Sequence, residues 1–301
     1  MAPTPSEAVR LTFLSTGTVR ISQSTKNQPA SNKSVLMRRL RSMLDRNWTG
    51  DLPIGVFLIS HPQGPILFDT GESPCCNDPG FLPLYSLTRV FSRTTIRPED
   101  GIVEQLRRLD VRPRDLQAIV LSHLHGDHAG GLEDLLQDAP GVPVFVGGEH
   151  WDAFGNSPVA ATLAGCNPRR WPGAFAPRLL EPAREHAVGP WERASRITAD
   201  GRVLAVATPG HVPGHVSLVV RGEDAGSGDP TTYLLPGDAT YALGLLDLEE
   251  ADGINDDPAT ALETLRRIKE YARGTELVVL PSHDPDTPSY LRNRTVYRPR
   301  D

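Results

Sequence analysis

The sequence is short of cysteine, of aromatic residues and of positive charge. Its three cysteines, Cys75, Cys76 and Cys166, cannot build a disulfide framework, so a reducing, cytoplasmic compartment is expected. The vicinal Cys75-Cys76 pair reads as plain loop or core, because no other cysteine stands at ligand spacing. Lys and Arg total 31 against 37 Asp and Glu, a net charge of −6, which argues against a nucleic-acid surface. No apolar run approaches the length of a membrane span. The opening Met1-Ala2-Pro3-Thr4-Pro5-Ser6-Glu7 lacks the charged-then-apolar form of a signal peptide. Aromatics are few, at 6%. What is plentiful is turn chemistry, with 27 Gly and 28 Pro, which favours many short strands over a helical bundle. Apolar content of 39% and charged content of 23% are those of an ordinary globular chain.

Residues 1–9 read as a loose tail and Leu11-Thr12-Phe13-Leu14 as a first strand. The polar stretch 15–34 reads as loop. Leu36, Leu40, Met43 and Leu44 recur at helical spacing, with Arg38, Arg39 and Arg41 between them. That pattern predicts a surface helix over Val35 to Leu44 with a solvated basic face; a lid or a dimer element is the sharper alternative. Val56–Ile59 and Pro65–Phe68 flank His61-Pro62-Gln63-Gly64, a hairpin ending in Asp69-Thr70-Gly71. Residues 72–97 read as a long loop and 102–109 as a helix. Further strands are predicted at 118–121, 142–146, 203–208, 217–220, 232–235 and 276–280, the fourth and fifth forming a hairpin around loop 221–230. Residues 150–195 are poorly periodic and read as irregular structure with short helices. Asp257 and Pro258 supply an N-cap and a first-turn proline for a helix carrying Ala261, Leu262, Leu265 and Ile268 on one face. No polar linker divides the chain. One α/β domain over 1–301 is expected, with two mixed sheets packed together and helices outside.

The chemistry concentrates in Leu121-Ser122-His123-Leu124-His125-Gly126-Asp127-His128, which follows a buried-strand run. Four metal-capable side chains in six residues are hard to explain by packing, since His and Asp are costly to bury unpaired. The same grammar recurs: a short apolar strand ends, Pro, Gly or Ser follows, then a metal-capable residue appears. It happens at His123, His211, Asp238 and His283. Strand ends at one edge converge, so these positions can build one site. Seven candidate ligands, His123, His125, Asp127, His128, His211, Asp238 and His283, exceed what one zinc takes and suit two metals. Imidazole and carboxylate without thiolate suit Zn²⁺ first, with iron, manganese or cobalt also accommodated. His61, His150 and His186 read as structural or surface, and His215 as supporting rather than ligating.

These residues carry a family resemblance. His123-Leu124-His125-Gly126-Asp127-His128 resembles the HxHxDH signature of the metallo-β-lactamase superfamily, and Thr208-Pro-Gly-His211-Val-Pro-Gly-His215 its next motif. Asp238 is similar to the bridging Asp, His283 to the last ligand, and Asp69-Thr70-Gly71 to the early DTG segment whose Asp sits beside the ligands. The resemblance implies an αββα sandwich with a dinuclear site at one edge. Within the superfamily the chain looks most like the N-acyl-homoserine lactonases. Asp238-Ala239-Thr240-Tyr241 resembles their D-A-[ST]-Y segment, whose Tyr contacts the substrate carbonyl. It departs at Gly126, where those enzymes commonly carry Phe, and over 15–50 and 150–195. The resemblance implies hydrolysis of a cyclic ester by a metal-activated water, with Tyr241 at the carbonyl oxygen, Asp127 moving the proton and Asp69 orienting a ligand histidine. A lactam, cyclic carbamate or thioester would suit the same site; a phosphodiesterase or an iron oxidoreductase fits less well. The expected partner is a small-molecule substrate, with neither nucleic acid nor membrane; a homodimer is left open.

Overall fold

Short runs of Val, Ile, Leu and Phe bounded by Gly and Pro become short strands, and alternation along each strand sorts its side chains onto two faces. A computed structural model describes residues 8–29, 31–173, 175–223 and 229–300. One sheet holds β1 (Arg10–Ile21), β2 (Leu52–Ser60), β3 (Ile66–Phe68), β4 (Ser92–Thr95), β5 (Ala118–Val120), β6 (Val144–Gly147) and β7 (Arg178–Leu180), in the order β4-β1-β2-β3-β5-β6-β7. The other holds β8 (Ser195–Arg196), β9 (Val203–Ala207), β10 (Val216–Glu223), β11 (Pro230–Leu235) and β12 (Leu277–Val279), in the order β12-β11-β10-β9-β8. Both sheets are mixed. β3, β5, β6 and β7 run parallel beside the antiparallel β1–β2–β3. β11 and β12 run parallel beside the antiparallel β8–β9–β10–β11.

Phe57, Ile59, Ile66, Phe68 and Val120 meet Leu218, Val220, Leu235 and Val278 between the sheets. The alternate residues Val56, Leu58, Leu67 and Ile119 pack outward with Ile102, Leu106, Leu132 and Leu135 of the helices Ile102–Arg108 and Leu132–Asp138. Behind the second sheet, Leu204, Val219, Leu277 and Val279 pack on Ala261, Leu265, Ile268 and Ala272 of the helix Pro258–Gly274. Burying Leu265 and Ile268 contributes about 1.5–3 kcal/mol each. That helix starts where the sequence places it, because the Asp257 carboxylate accepts the Ala259 and Thr260 N–H groups at 3.0 and 3.1 Å. The result is the expected layering: helices, sheet, sheet, helices. No helix among the described residues is long and apolar enough to cross a membrane.

Several local expectations fail, each for a physical reason. The stretch read as loop 15–34 carries the second half of β1, a helix Gln23–Lys26 and the start of the helix Val35–Leu44's cap. Its polar residues enter the sheet because β1 pairs on both sides, Thr18 and Val19 with Pro53 and Leu52 and again with Thr95 and Thr94. Val9, placed in the tail, is fully buried, and its carbonyl accepts the Glu223 N–H at 2.8 Å; residues 1–7 lie outside the described residues. The long loop 72–97 holds a helix Thr88–Phe91 and β4, and 150–195, whose short helix Pro158–Leu163 was expected, also supplies the strand β7. Within the loop 221–230, residues 224–228 lie outside the described residues.

The helix Val35–Leu44 forms on the surface as expected and leaves Arg39 and Arg41 in solvent, but Arg38 turns inward and the apolar stripe turns outward. Arg38 is 1% exposed, while Leu36 is 76% and Leu44 66% exposed. The Arg38 guanidinium donates to the carbonyls of Gln28, Pro29, Asn32, Ala251 and Asp252. Loop carbonyls need donors, and five converging at one point outweigh the helix's apolar stripe.

Candidate metal centre

The directions of the strands bring the candidates together. β9, β11 and β12 run the same way, since β9 and β11 are both antiparallel to β10 and β12 is parallel to β11. Their C-terminal ends therefore lie at one edge, with His211, Asp238 and His283 just beyond. The C-terminal end of β5 meets them from the other sheet, where Ser122 O accepts the Val216 N–H at 3.1 Å. The ends belong to both sheets, not to one.

All seven candidates converge. One ligand atom from each of His123, His125, His211 and Asp238 lies within 4.8 Å of the others, and the same holds for Asp127, His128 and His283. Asp238 joins the groups. Its Oδ2 lies 4.0 Å from His123 Nε2 and 3.5 Å from His211 Nε2. Its Oδ1 lies 3.1 Å from His128 Nε2 and 3.2 Å from His283 Nε2. Asp127 closes the second group, with Oδ2 at 3.7 Å from His283 Nε2.

The outward nitrogens are anchored. His128 Nδ1 sits 2.9 Å from Asp69 Oδ2, His211 Nδ1 3.1 Å from Asp252 Oδ2 and His123 Nδ1 2.9 Å from Ser122 Oγ. His283 Nδ1 donates to Pro53 O at 2.8 Å, because a carbonyl only accepts. A histidine that donates through Nδ1 turns the Nε2 lone pair inward, the tautomer a metal needs. Asp69 takes a left-handed backbone, φ 63°, unusual for a residue with a Cβ. The turn lets its carboxylate accept from Ser122 N, Ser122 Oγ and His128 together. Gly237 also needs positive φ, since a Cβ there would stand 2.8 Å from the Ser122 side chain and 2.9 Å from His215 Nε2. His215 Nε2 accepts the Asp238 N–H at 3.1 Å, so it holds the Asp238 backbone from behind. His150 holds the ligand loop by accepting the Leu124 N–H.

The residues fit a pair of cations. His123 Nε2, His125 Nε2, His128 Nε2 and Asp238 Oδ1 are buried without a hydrogen-bond partner. Each such atom costs about 1–3 kcal/mol unless something else binds it. Burial, then the neighbouring imidazoles, hold His123 and His125 well below the ordinary histidine pKa, so both are neutral and ligand-ready. Burial would raise Asp238, but His128 and His283 hold it well below the carboxylate range. An imidazole and carboxylate set without thiolate suits zinc, iron, manganese or cobalt.

A cavity opens over the cluster. His125, Asp127, Asp238 and Tyr241 are at its base, and Val19, Ile21, Leu87, Phe91, Leu163 and Val212 among its walls. The Tyr241 ring is 5.1 Å from that of His283 and 6.3 Å from that of His211. Burial first, then the Asp238 charge, raises its phenol well above the ordinary value, so it keeps its proton. Sequence reasoning missed Glu72 and Asp252. Glu72 directly follows Asp69-Thr70-Gly71, which was the available signal. Its buried carboxyl is pushed up to about 8, chiefly by burial, and its Oε2 would stand 2.7 Å from a Cβ on Gly126. Asp252 had no motif to mark it.

The fold and this site define a class. The family model of the metallo-β-lactamase superfamily matches residues 49–283, and the chain belongs to that superfamily, as one of its hydrolases. Within it the resemblance is to lactonases. The chain is 29% identical over 259 residues to an N-acyl homoserine lactonase of Bacillus cereus, covering 81% of this chain and 90% of that one. It is 30% identical over 245 residues to the N-acyl homoserine lactonase AiiB of Rhizobium rhizogenes, covering 78% and 80%. A solved N-acyl homoserine lactone hydrolase, with N-hexanoyl-L-homoserine at its catalytic metal centre, superposes with a TM-score of 0.68 at 24% identity, covering 94% and 96%. That likeness shows the fold.

Proposed function

We propose that this chain is a dinuclear metal-dependent hydrolase that opens a cyclic ester, with an N-acyl homoserine lactone as the substrate class. The observation that carries the two-metal reading is Asp238, whose two oxygens face two separate groups of ligands. His123, His125 and His211 would hold one ion with Oδ2; Asp127, His128 and His283 would hold the other with Oδ1. The ions, zinc first among those the donors suit, supply when bound a water of lowered pKa and a Lewis acid for the carbonyl. The chain's own groups do the rest. The protonated Tyr241 phenol donates to the carbonyl oxygen as charge develops there. Asp127, whose side chain is 26% exposed on the cavity, takes the proton from the attacking water and returns it to the leaving ring oxygen. Asp69 keeps His128 in register. The apolar walls suit an acyl chain. The whole chain, 1–301, acts as one domain in this reading, because ligands come from the strand ends of both sheets. The relatives named N-acyl homoserine lactonases support the lactone. The test is a hydrolysis panel on zinc-loaded protein: homoserine lactones of varied acyl length, γ- and δ-lactones, and lactams. Lactones with acyl chains should turn over fastest. Preferential lactam hydrolysis would overturn the substrate while leaving the two-metal site intact.

A further inference from the structure

Nine of the fourteen exposed large apolar side chains among the described residues lie on two neighbouring segments. Leu36, Met37, Leu40, Met43 and Leu44 are on the helix Val35–Leu44. Leu84, Tyr85, Leu87 and Val90 lead into the helix Thr88–Phe91, which packs beside it. Concentrated exposed apolar surface marks an interaction site, whereas scattered residues do not. The charge on these segments is one-sided. In a chain of net charge −6, residues 31–44 carry Lys33, Arg38, Arg39 and Arg41, residues 79–97 carry Arg89, Arg93 and Arg97, and neither stretch contains a carboxylate. Arg38 is spent on backbone carbonyls and Arg39 on Asp256. Asp45, at the helix's C-cap, accepts backbone N–H groups of Ser24 and Asn47. Lys33, Arg41 and Arg89 are exposed and have no ion-pair partner among the described residues.

We propose that this face docks the protein on an anionic lipid surface. Aliphatic side chains ringed by unpaired cations are the composition of an interfacial helix: the apolar tips enter the acyl boundary and the cations meet the headgroups. Leu36 and Leu84 are 76% and 102% exposed, so their side chains stand out from the surface. Projecting tips suit a soft apolar phase, whereas a protein partner would need matching holes. A second copy is disfavoured, because a two-fold contact would set Lys33, Arg41 and Arg89 against like charges. The same helix and its neighbour supply Arg39, Leu87, Thr88 and Phe91 to the cavity wall, so docking turns the mouth of the site toward the bilayer. The proposal goes beyond the assigned reaction and stands whatever ester is cleaved. It also differs from a membrane span, the only membrane role the apolar runs address.

Co-sedimentation of the full, zinc-loaded chain at low salt tests it. One set of vesicles is phosphatidylcholine, the other phosphatidylcholine with a quarter phosphatidylglycerol. The wild type should bind the anionic vesicles at least about tenfold more tightly than the neutral ones, and added salt should weaken binding. Leu36→Ser with Leu44→Ser, and separately Lys33→Glu with Arg41→Glu, should each reduce binding by about tenfold or more, with melting temperatures confirming the fold. The charge variant alters only exposed groups and keeps the test valid if the serine variant unfolds. No binding to anionic vesicles, or equal binding by folded variants, would overturn the proposal. So would light scattering that shows a dimer which the serine variant splits, because the face would then belong to a second copy.

Discussion

At the scale of residues, the site rests on four histidines whose outer nitrogens are anchored, on His123 and His125 kept neutral by burial and by neighbouring imidazoles, and on a carboxylate that faces two ways. Tyr241 belongs to neither group of ligands, yet it is buried beside the rings of His283 and His211 with its proton secured. Tyr241→Phe should therefore slow hydrolysis by about a hundredfold, the worth of one donor to a developing oxyanion. Elemental analysis should find its metal content unchanged; an unchanged rate would remove Tyr241 from the mechanism. Glu72 gives a pH signature of its own. Its pKa is about 8 in the fold against an ordinary 4.5, so between those values the folded protein holds a proton that the unfolded chain has released. The stabilising contribution is full below pH 4.5 and is lost as pH rises through 8. Thermal melts of metal-free protein should show Glu72→Gln flattening the decline across that window. Parallel slopes for the two proteins would contradict it.

At the scale of elements, strand ends explain both what was legible and what was not. The runs before His123, His211, Asp238 and His283 were readable because a strand's apolar run and its turn residues are local. The ligands' meeting was expected because strand ends at one edge converge, although the edge is shared by two sheets instead of belonging to one. Of the anchors only Asp69 was marked, by the resemblance of Asp69-Thr70-Gly71; Pro53 O and Asp252 are chosen by three-dimensional proximity and leave no spacing in the sequence. The helix Val35–Leu44 shows the same limit from another side. Its period was plain, but its facing was decided by five carbonyls from residues 28–32 and 251–252, which no periodicity reveals. Arg38→Ala strips those carbonyls of their donor, at roughly 1–3 kcal/mol for each buried group left unsatisfied. A destabilisation on the order of 3 kcal/mol is expected, lowering the melting temperature by roughly 6–12 °C. Calorimetry showing no shift would mean that water replaces the guanidinium without cost.

At the scale of the whole molecule, two sheets contribute to one centre at their common edge, and neither sheet alone completes either group of ligands. His123 and His125 follow β5, while His211 and Asp238 follow strands of the other sheet. Asp127 and His128 likewise meet His283 across the same edge. The centre is therefore complete only where both layers are in place. The centre also divides what is general from what is particular. The ligands and their anchors serve any hydrolysis of this type. The cavity walls, drawn from β1, the segment 87–91 and the turn at 163–165, would select what enters under the proposed reaction.

The most direct measurement is a zinc titration of metal-free protein, reading bound metal and lactone hydrolysis on the same samples. Hydrolysis should rise with occupancy and saturate when about two ions are bound per chain, as two groups of ligands joined by Asp238 require. Full turnover by the metal-free chain, or saturation at a single ion, would contradict it.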